Sequence, residues 1–202
     1  MRLKFWSIGL LVFCFSAAIL ANHLSIFNFK VTPSSHSAVV KHSQIDSLIK
    51  RAEIEECNKH LGIFINLKAH SGGYRFYLID LDSNKILLKG LCCHGSGKAR
   101  FSEKTRFSNE VGSNYSSKGF YKITSKYVGN FGNSYKLIGL SNTNSNAFDR
   151  FVVLHAHSCV PATPVPVSIC QSLGCPTLAP EVFHKLEPYL DSSTKPILLW
   201  IY

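Results

Sequence analysis

Hydrophobic and polar positions alternate with two different periods along this chain, and each period predicts an element. Over residues 43–59, Ile45, Leu48, Ile49 and Ala52, then Cys57, recur at a mostly helical spacing. Ser43 is the expected N-cap and Gly62 the expected end of that helix. Residues 74–81 then run largely apolar into Asp82, Ser83 and Asn84, and residues 85–88 return, which predicts a β-hairpin. Residues 96–117 are rich in Ser, Gly, Asn and charge and read as a long loop. Two further strands are expected at 119–123 and 135–140, and a buried strand at 151–155. A Pro-containing loop follows. A short helix over 180–190 opens with Pro in its first turn, and a strand over 197–202 closes the chain. The fold class is therefore mainly β with small α elements, the strands forming one curved or barrel-like sheet.

The N-terminus carries a different signal. Arg2 and Lys4 precede an almost wholly apolar run from Phe5 to Leu20, followed closely by Ala21. That order predicts a secretory signal peptide over 1–21, with an uncleaved membrane anchor as the rival reading. Residues 22–41 read as a linker and 42–202 as the folded domain. The expected location is outside the cytoplasm, in the periplasm or cell envelope. Six cysteines remain after the leader: Cys57, Cys92, Cys93, Cys159, Cys170 and Cys175. Cys159 with Cys170 can bridge the Pro-rich loop, but sequence alone does not assign pairs.

Composition changes the picture once. With 22 Lys+Arg against 12 Asp+Glu, the formal net charge is +10, which favours an anionic partner such as an acidic wall polymer. No strongly basic helix, zinc-finger spacing or aromatic RNA-binding signature points to nucleic acid. A membrane is expected only through the N-terminal segment, if that is retained. Oligomeric state is not legible.

The candidate chemistry lies in residues 155–175. His155 stands at a strand end, where a backbone carbonyl can fix its tautomer. Gly174 before Cys175 permits a tight turn that presents the sulfur and backbone N–H groups suited to an oxyanion. A thiol with a nearby imidazole is a nucleophile–base pair. By itself, a lone Cys with a lone His is as well explained by an inert core pair.

An ordered series of segments narrows this. His155 is followed at family spacing by Ser172-Leu173-Gly174-Cys175. Upstream stand Arg75 to Leu81, Cys93-His94-Gly95-Ser96-Gly97, Phe107 to Ser113, Ser116 to Tyr121, Tyr127 to Gly132 and Lys136 to Leu140. Together they resemble the murein L,D-transpeptidases of the YkuD-like type over roughly residues 74–180, nearest a subgroup with Ser-x-Gly-Cys-Pro. The resemblance implies Cys175 as nucleophile, His155 as base, and Ser172 and Gly174 as the turn shaping the oxyanion site. It implies acyl transfer on peptidoglycan stem peptides through a Cys thioester, without cofactor or metal. Transpeptidation is the expected outcome, and L,D-carboxypeptidation follows if water is the acceptor. Two residues depart from the family pattern. Leu173 occupies the place of a second His, and Thr177 a place where Asn or Arg is usual.

His94, Arg106, Ser117 and His157 are further candidates for meeting substrate. The loop residues among them are equally explained by bonds to their own backbone. His155, His157 and Cys159 alternate on one strand face and offer a less favoured zinc reading. A papain-like or NlpC-like hydrolase is disfavoured because its Cys precedes its His. A non-catalytic wall-binding protein on the same fold is the alternative that Leu173 supports.

Overall fold

The structure is a computed structural model that describes residues 40–202 apart from 100, 102 and 103. The expected leader and nearly all of the expected linker lie outside the described residues. Among the described residues no helix is long and apolar enough to cross a membrane.

The first helix, α1, spans His42–Ile54 and stops earlier than its apolar spacing suggests. Glu56 takes a left-handed backbone conformation, φ 53°, and the N–H of Cys57 turns back to the carbonyl of Ala52 at 2.8 Å. The side chain of Asn58 then accepts from the N–H groups of His60 and Leu61 at 2.8 and 2.9 Å, which aims the chain into a strand. That strand, β1 (Leu61–Ile65), was not expected. Gly62 does not end the helix. It lies inside β1, where a Cβ would meet the Leu48 side chain at 2.8 Å.

The expected hairpin is β2 (Phe76–Asp80) and β3 (Lys85–Gly90), turned by Asp80 Oδ1 accepting from the N–H groups of Asp82 and Ser83. After β4 (Cys92–Cys93) and the long loop come β5 (Gly119–Gly129) and β6 (Gly132–Gly139), longer than the two expected strands and joined as one hairpin. Gly132, at φ 76°, closes their two-residue turn. β7 (Val153–Ala156), β8 (Thr177–Leu178), helix α2 (Pro180–Ser192) and β9 (Leu198–Ile201) complete the chain.

The sheet order is β3-β2-β1-β9-β5-β6-β7-β8-β4. Its two edge strands, β3 and β4, are consecutive in sequence with only Leu91 between them. The chain thus steps from one edge of the sheet to the other, and the sheet rolls into a nearly closed barrel. Alternation along the strands sorts the core into two clusters. Ile63, Phe76, Leu78, Tyr121, Leu137 and Leu199 face one side with Val182, Phe183 and Leu186 of α2. Phe64, Tyr77, Ile79 and Leu198 face the other with Ile45, Leu48 and Ala52 of α1.

Candidate active site

β7 enters the site through an unusual residue. Phe151 has φ 54° and is exposed, and its carbonyl lies 3.7 Å from Sγ of Cys175. Two residues on, the N–H of Val153 donates to the same sulfur at 3.5 Å. Backbone groups at the start of β7 therefore hold the thiol. His155 follows on β7, paired in register with Ser134 of β6 and Thr177 of β8. Cys175, His155, Thr177, Leu173 and Phe131 line one cleft.

The turn that carries Cys175 is held from several directions. Ser172 donates its N–H to the carbonyl of His94 and accepts from the N–H of Ser96 at its own carbonyl. Its hydroxyl donates to the carbonyl of Cys175 at 2.6 Å and accepts from the N–H of Gly174 at 3.1 Å. Gly174 has φ 120°, and a Cβ there would come within 3.0 Å of the carbonyl of Tyr115. Ser116 ties the long loop to this turn, donating to the carbonyl of Gly174 and accepting from the N–H of Gly95.

The imidazole of His155 is set in one tautomer. Nδ1 lies 3.0 Å from the carbonyl of Ala156, which can only accept, so Nδ1 carries the proton and Nε2 the lone pair. The hydroxyl of Thr177 lies 3.1 Å from Nε2 and donates to it. Phe131, at the tip of the β5–β6 hairpin, stacks on the ring at 4.5 Å and 22°. Burial holds the His155 pKa below the ordinary 6.5, against the bond to Ala156 and helped by His157. Burial also pushes the Cys175 thiol up, against the N–H of Val153 and the charge of Arg150. Both shifts favour a neutral thiol and a neutral imidazole in the resting site.

Arg150 was not among the sequence candidates. Its guanidinium donates to the carbonyls of Ser108 and Tyr115 and to the hydroxyl of Ser117. It thereby braces the long loop beneath the Cys175 turn. The available signal was a single cation at the end of the polar run 141–150, directly before a buried strand.

The remaining candidates separate. Ser117 is buried, bonded to Tyr121 and Arg150. His94 is buried too. It sits 3.2 Å from Arg75 Nη2 and 3.1 Å from the side-chain amide of Gln171, which lines the cleft. Arg106 is exposed on the loop and is not part of the cleft lining. His157 lines the cleft, edge-on to Phe131. Leu173 stands 73% exposed at the rim. Cys159 and Cys170 are bonded to each other, so Cys159 is not available to a zinc set with His155 and His157. Among the described residues, the group of side chains close enough to share a metal is Cys93, Cys159 and Cys170.

Solved structures of related shape include the L,D-transpeptidase of Stackebrandtia nassauensis (12% identity, 81% of this chain and 67% of that one, TM-score 0.42). They also include the helical cell shape determining protein Pgp2 of Campylobacter jejuni (15%, 79% and 55%, 0.44). A third is the avibactam carbamoyl enzyme of Ldtfm (11%, 72% and 49%, 0.44), about half of whose length this chain spans. A search of curated proteins returned no match. Residues 33–202 match the model of the L,D-transpeptidase catalytic domain. With most of its length matched, this chain belongs to the L,D-transpeptidase catalytic domain family.

Proposed function

We propose that this chain is an exported cysteine acyltransferase acting on peptidoglycan stem peptides. Cys175 Sγ attacks a stem-peptide carbonyl, and its proton passes to Nε2 of His155. The C–S bond of a thioester forms as the terminal D-Ala amine departs, taking that proton. An amine of a second stem peptide then resolves the thioester and leaves a cross-link, whereas water releases a trimmed stem. The observation that supports this reading is the tautomer of His155, which leaves Nε2 basic on a residue that lines the same cleft as Cys175. The N–H of Gly174 is engaged by Ser172, so we assign the oxyanion donor to the N–H of Cys175 and the shaping of the turn to Ser172 and Gly174. The net charge of +10 suits the carboxylates of the stem and an anionic wall. An apolar N-terminal run that acts as a leader puts the domain in the periplasm or cell envelope.

The test is intact mass after mixing the protein with a carbapenem, beside Cys175→Ser. A single adduct on the wild type alone is expected, followed by D-Ala release from disaccharide-tetrapeptide. No adduct on the folded, reduced protein would overturn the reading in favour of a wall-binding role on the same fold.

A further inference from the structure

Cys93, Cys159 and Cys170 hold their sulfur atoms within 4.8 Å of one another. Cys159 and Cys170 are bonded. Cys93, on β4, is a free thiol only 1% exposed, and its Sγ lies 3.4 Å from Sγ of Cys170, in van der Waals contact. The S–H of Cys93 also donates to the carbonyl of Cys170 at 2.8 Å, so two contacts hold it against that residue. Cys93 is buried, Cys170 half-buried and Cys159 exposed. The three residues thus differ in exposure, and Cys93 and Cys159 both form part of the cleft wall. Cys57 and Cys92 are also free and buried, but neither belongs to this group. Acyl transfer at Cys175 requires none of the three.

We propose that Cys93, Cys159 and Cys170 form a second reactive-sulfur site, in which Cys170 is shared between two alternative disulfides. The Cys93 thiolate attacks Sγ of Cys170. The Cys93–Cys170 bond forms, the Cys170–Cys159 bond breaks, and the electron pair leaves on Cys159. One proton is lost from Cys93 and one is taken up at Cys159, so the exchange needs neither oxidant nor reductant. Solvation favours this direction, because a free thiol moves from the interior to a position where its thiolate is hydrated. Burial and the neighbouring Cys92 push the Cys93 thiol up to about 12, and the guanidinium of Arg75 works against them. The exchange is therefore slow compared with that of an ordinary thiol.

The exchange alters the catalytic cleft in two ways. Cys159 follows His155 and His157 on one segment, and Cys170 precedes the Ser172–Cys175 turn. The Cys159–Cys170 bond ties these two segments together, whereas the Cys93–Cys170 bond ties the turn to β4. The second form also places a free Cys159 thiol in the cleft, open to thiol-reactive electrophiles. None of this depends on Cys175 acting as a nucleophile.

The experiment uses the full chain, purified without reductant and incubated folded with iodoacetamide. It is then quenched in acid, digested without reduction and mapped by mass spectrometry. Cys159 is expected to be alkylated while the Cys93–Cys170 peptide pair accumulates in step. In Cys93→Ser, alkylation of Cys159 should be at least about tenfold slower, with the Cys159–Cys170 pair retained. The same results are expected in a Cys175→Ser background, which separates this site from the acylation chemistry. Cys159 that stays unlabelled in the wild type overturns the proposal. Labelling of Cys57 and Cys92 at the rate of Cys159 overturns it too, because it marks opening of the fold. As a second variant, Cys159→Ala treated with oxidised glutathione should yield the Cys93–Cys170 disulfide. Two free thiols, or a glutathione adduct at Cys170 that Cys93 does not resolve, count against it.

Discussion

The hydroxyl of Thr177 sits 3.1 Å from Nε2 of His155, so the nitrogen proposed to take the Cys175 proton already has a hydrogen-bond donor in the resting protein. The same hydroxyl lies 3.3 Å from the carbonyl of Cys175 and can turn to it when Nε2 is needed. A bond donated to the lone pair stabilises the neutral imidazole and opposes its protonation. Thr177→Val keeps the shape and removes this donor. It should raise the acid limb of the Cys175 acylation profile by about one pH unit. Carbapenem consumption measured against pH tests this, and an unmoved limb would show that Thr177 only fills space.

The wild-type profile has a sign of its own. Burial lowers the His155 pKa, so the neutral base survives to more acidic pH than an ordinary imidazole allows. Acylation should hold its rate as pH falls through 6.5 and decline only below it. Phe131→Ala uncovers the ring that it stacks against and should move the limb up towards 6.5. A wild-type limb above that value would contradict the geometry.

Gly174 tests the turn rather than the base. At φ 120°, with the Tyr115 carbonyl 3.0 Å from where a Cβ would sit, alanine is strained and crowded. Strain of about 1–3 kcal/mol, relieved by tilting the turn, would slow acylation of Cys175 by ~10- to 100-fold. Gly174→Ala should keep the far-ultraviolet circular dichroism of the parent while losing that rate. Wild-type kinetics in the variant would remove the turn from the mechanism.

Arg150 tests the support beneath the site. Its planar fork meets the carbonyls of Ser108 and Tyr115 and the hydroxyl of Ser117 together, and a lysine ammonium cannot span all three. Arg150→Lys leaves part-buried acceptors short of a donor and should cost about 2 kcal/mol. In thermal unfolding that appears as a Tm lower by ~4–8 °C. An unchanged Tm would mean that the loop holds without it.

Much of the architecture was legible in the sequence because local pattern and tertiary need agree there. The β2–β3 hairpin follows from an apolar run, Asp80 and three turn residues. Helix α2 follows from its N-terminal proline and its buried stripe of Val182, Phe183 and Leu186. The family was legible through residue type and ordered spacing, and residues 33–202 match its catalytic domain; Cys175 and His155, which that spacing singles out, line one cleft. The end of α1 was less legible. Helical spacing continues past Ile54, and it is a left-handed Glu56 and the side chain of Asn58 that break it. β1 was missed because Gly62 reads locally as a stop, although in the fold it lies within the strand, with the Leu48 side chain packed close over it.

Sequence by itself thus determined the alternation of faces, the residue types at the site and the order in which they arrive, since these depend on neighbours a few positions apart. Tertiary structure decided which of those residues meet. Ser117 and Arg150 lie 33 positions apart and share a hydrogen bond, Cys93 and Cys170 lie 77 apart with sulfurs in contact, and Thr177 reaches His155 across a parallel pair of strands. Such contacts are set by how a sheet closes and by which buried polar groups must be satisfied. Neither condition is written in any local stretch of the chain.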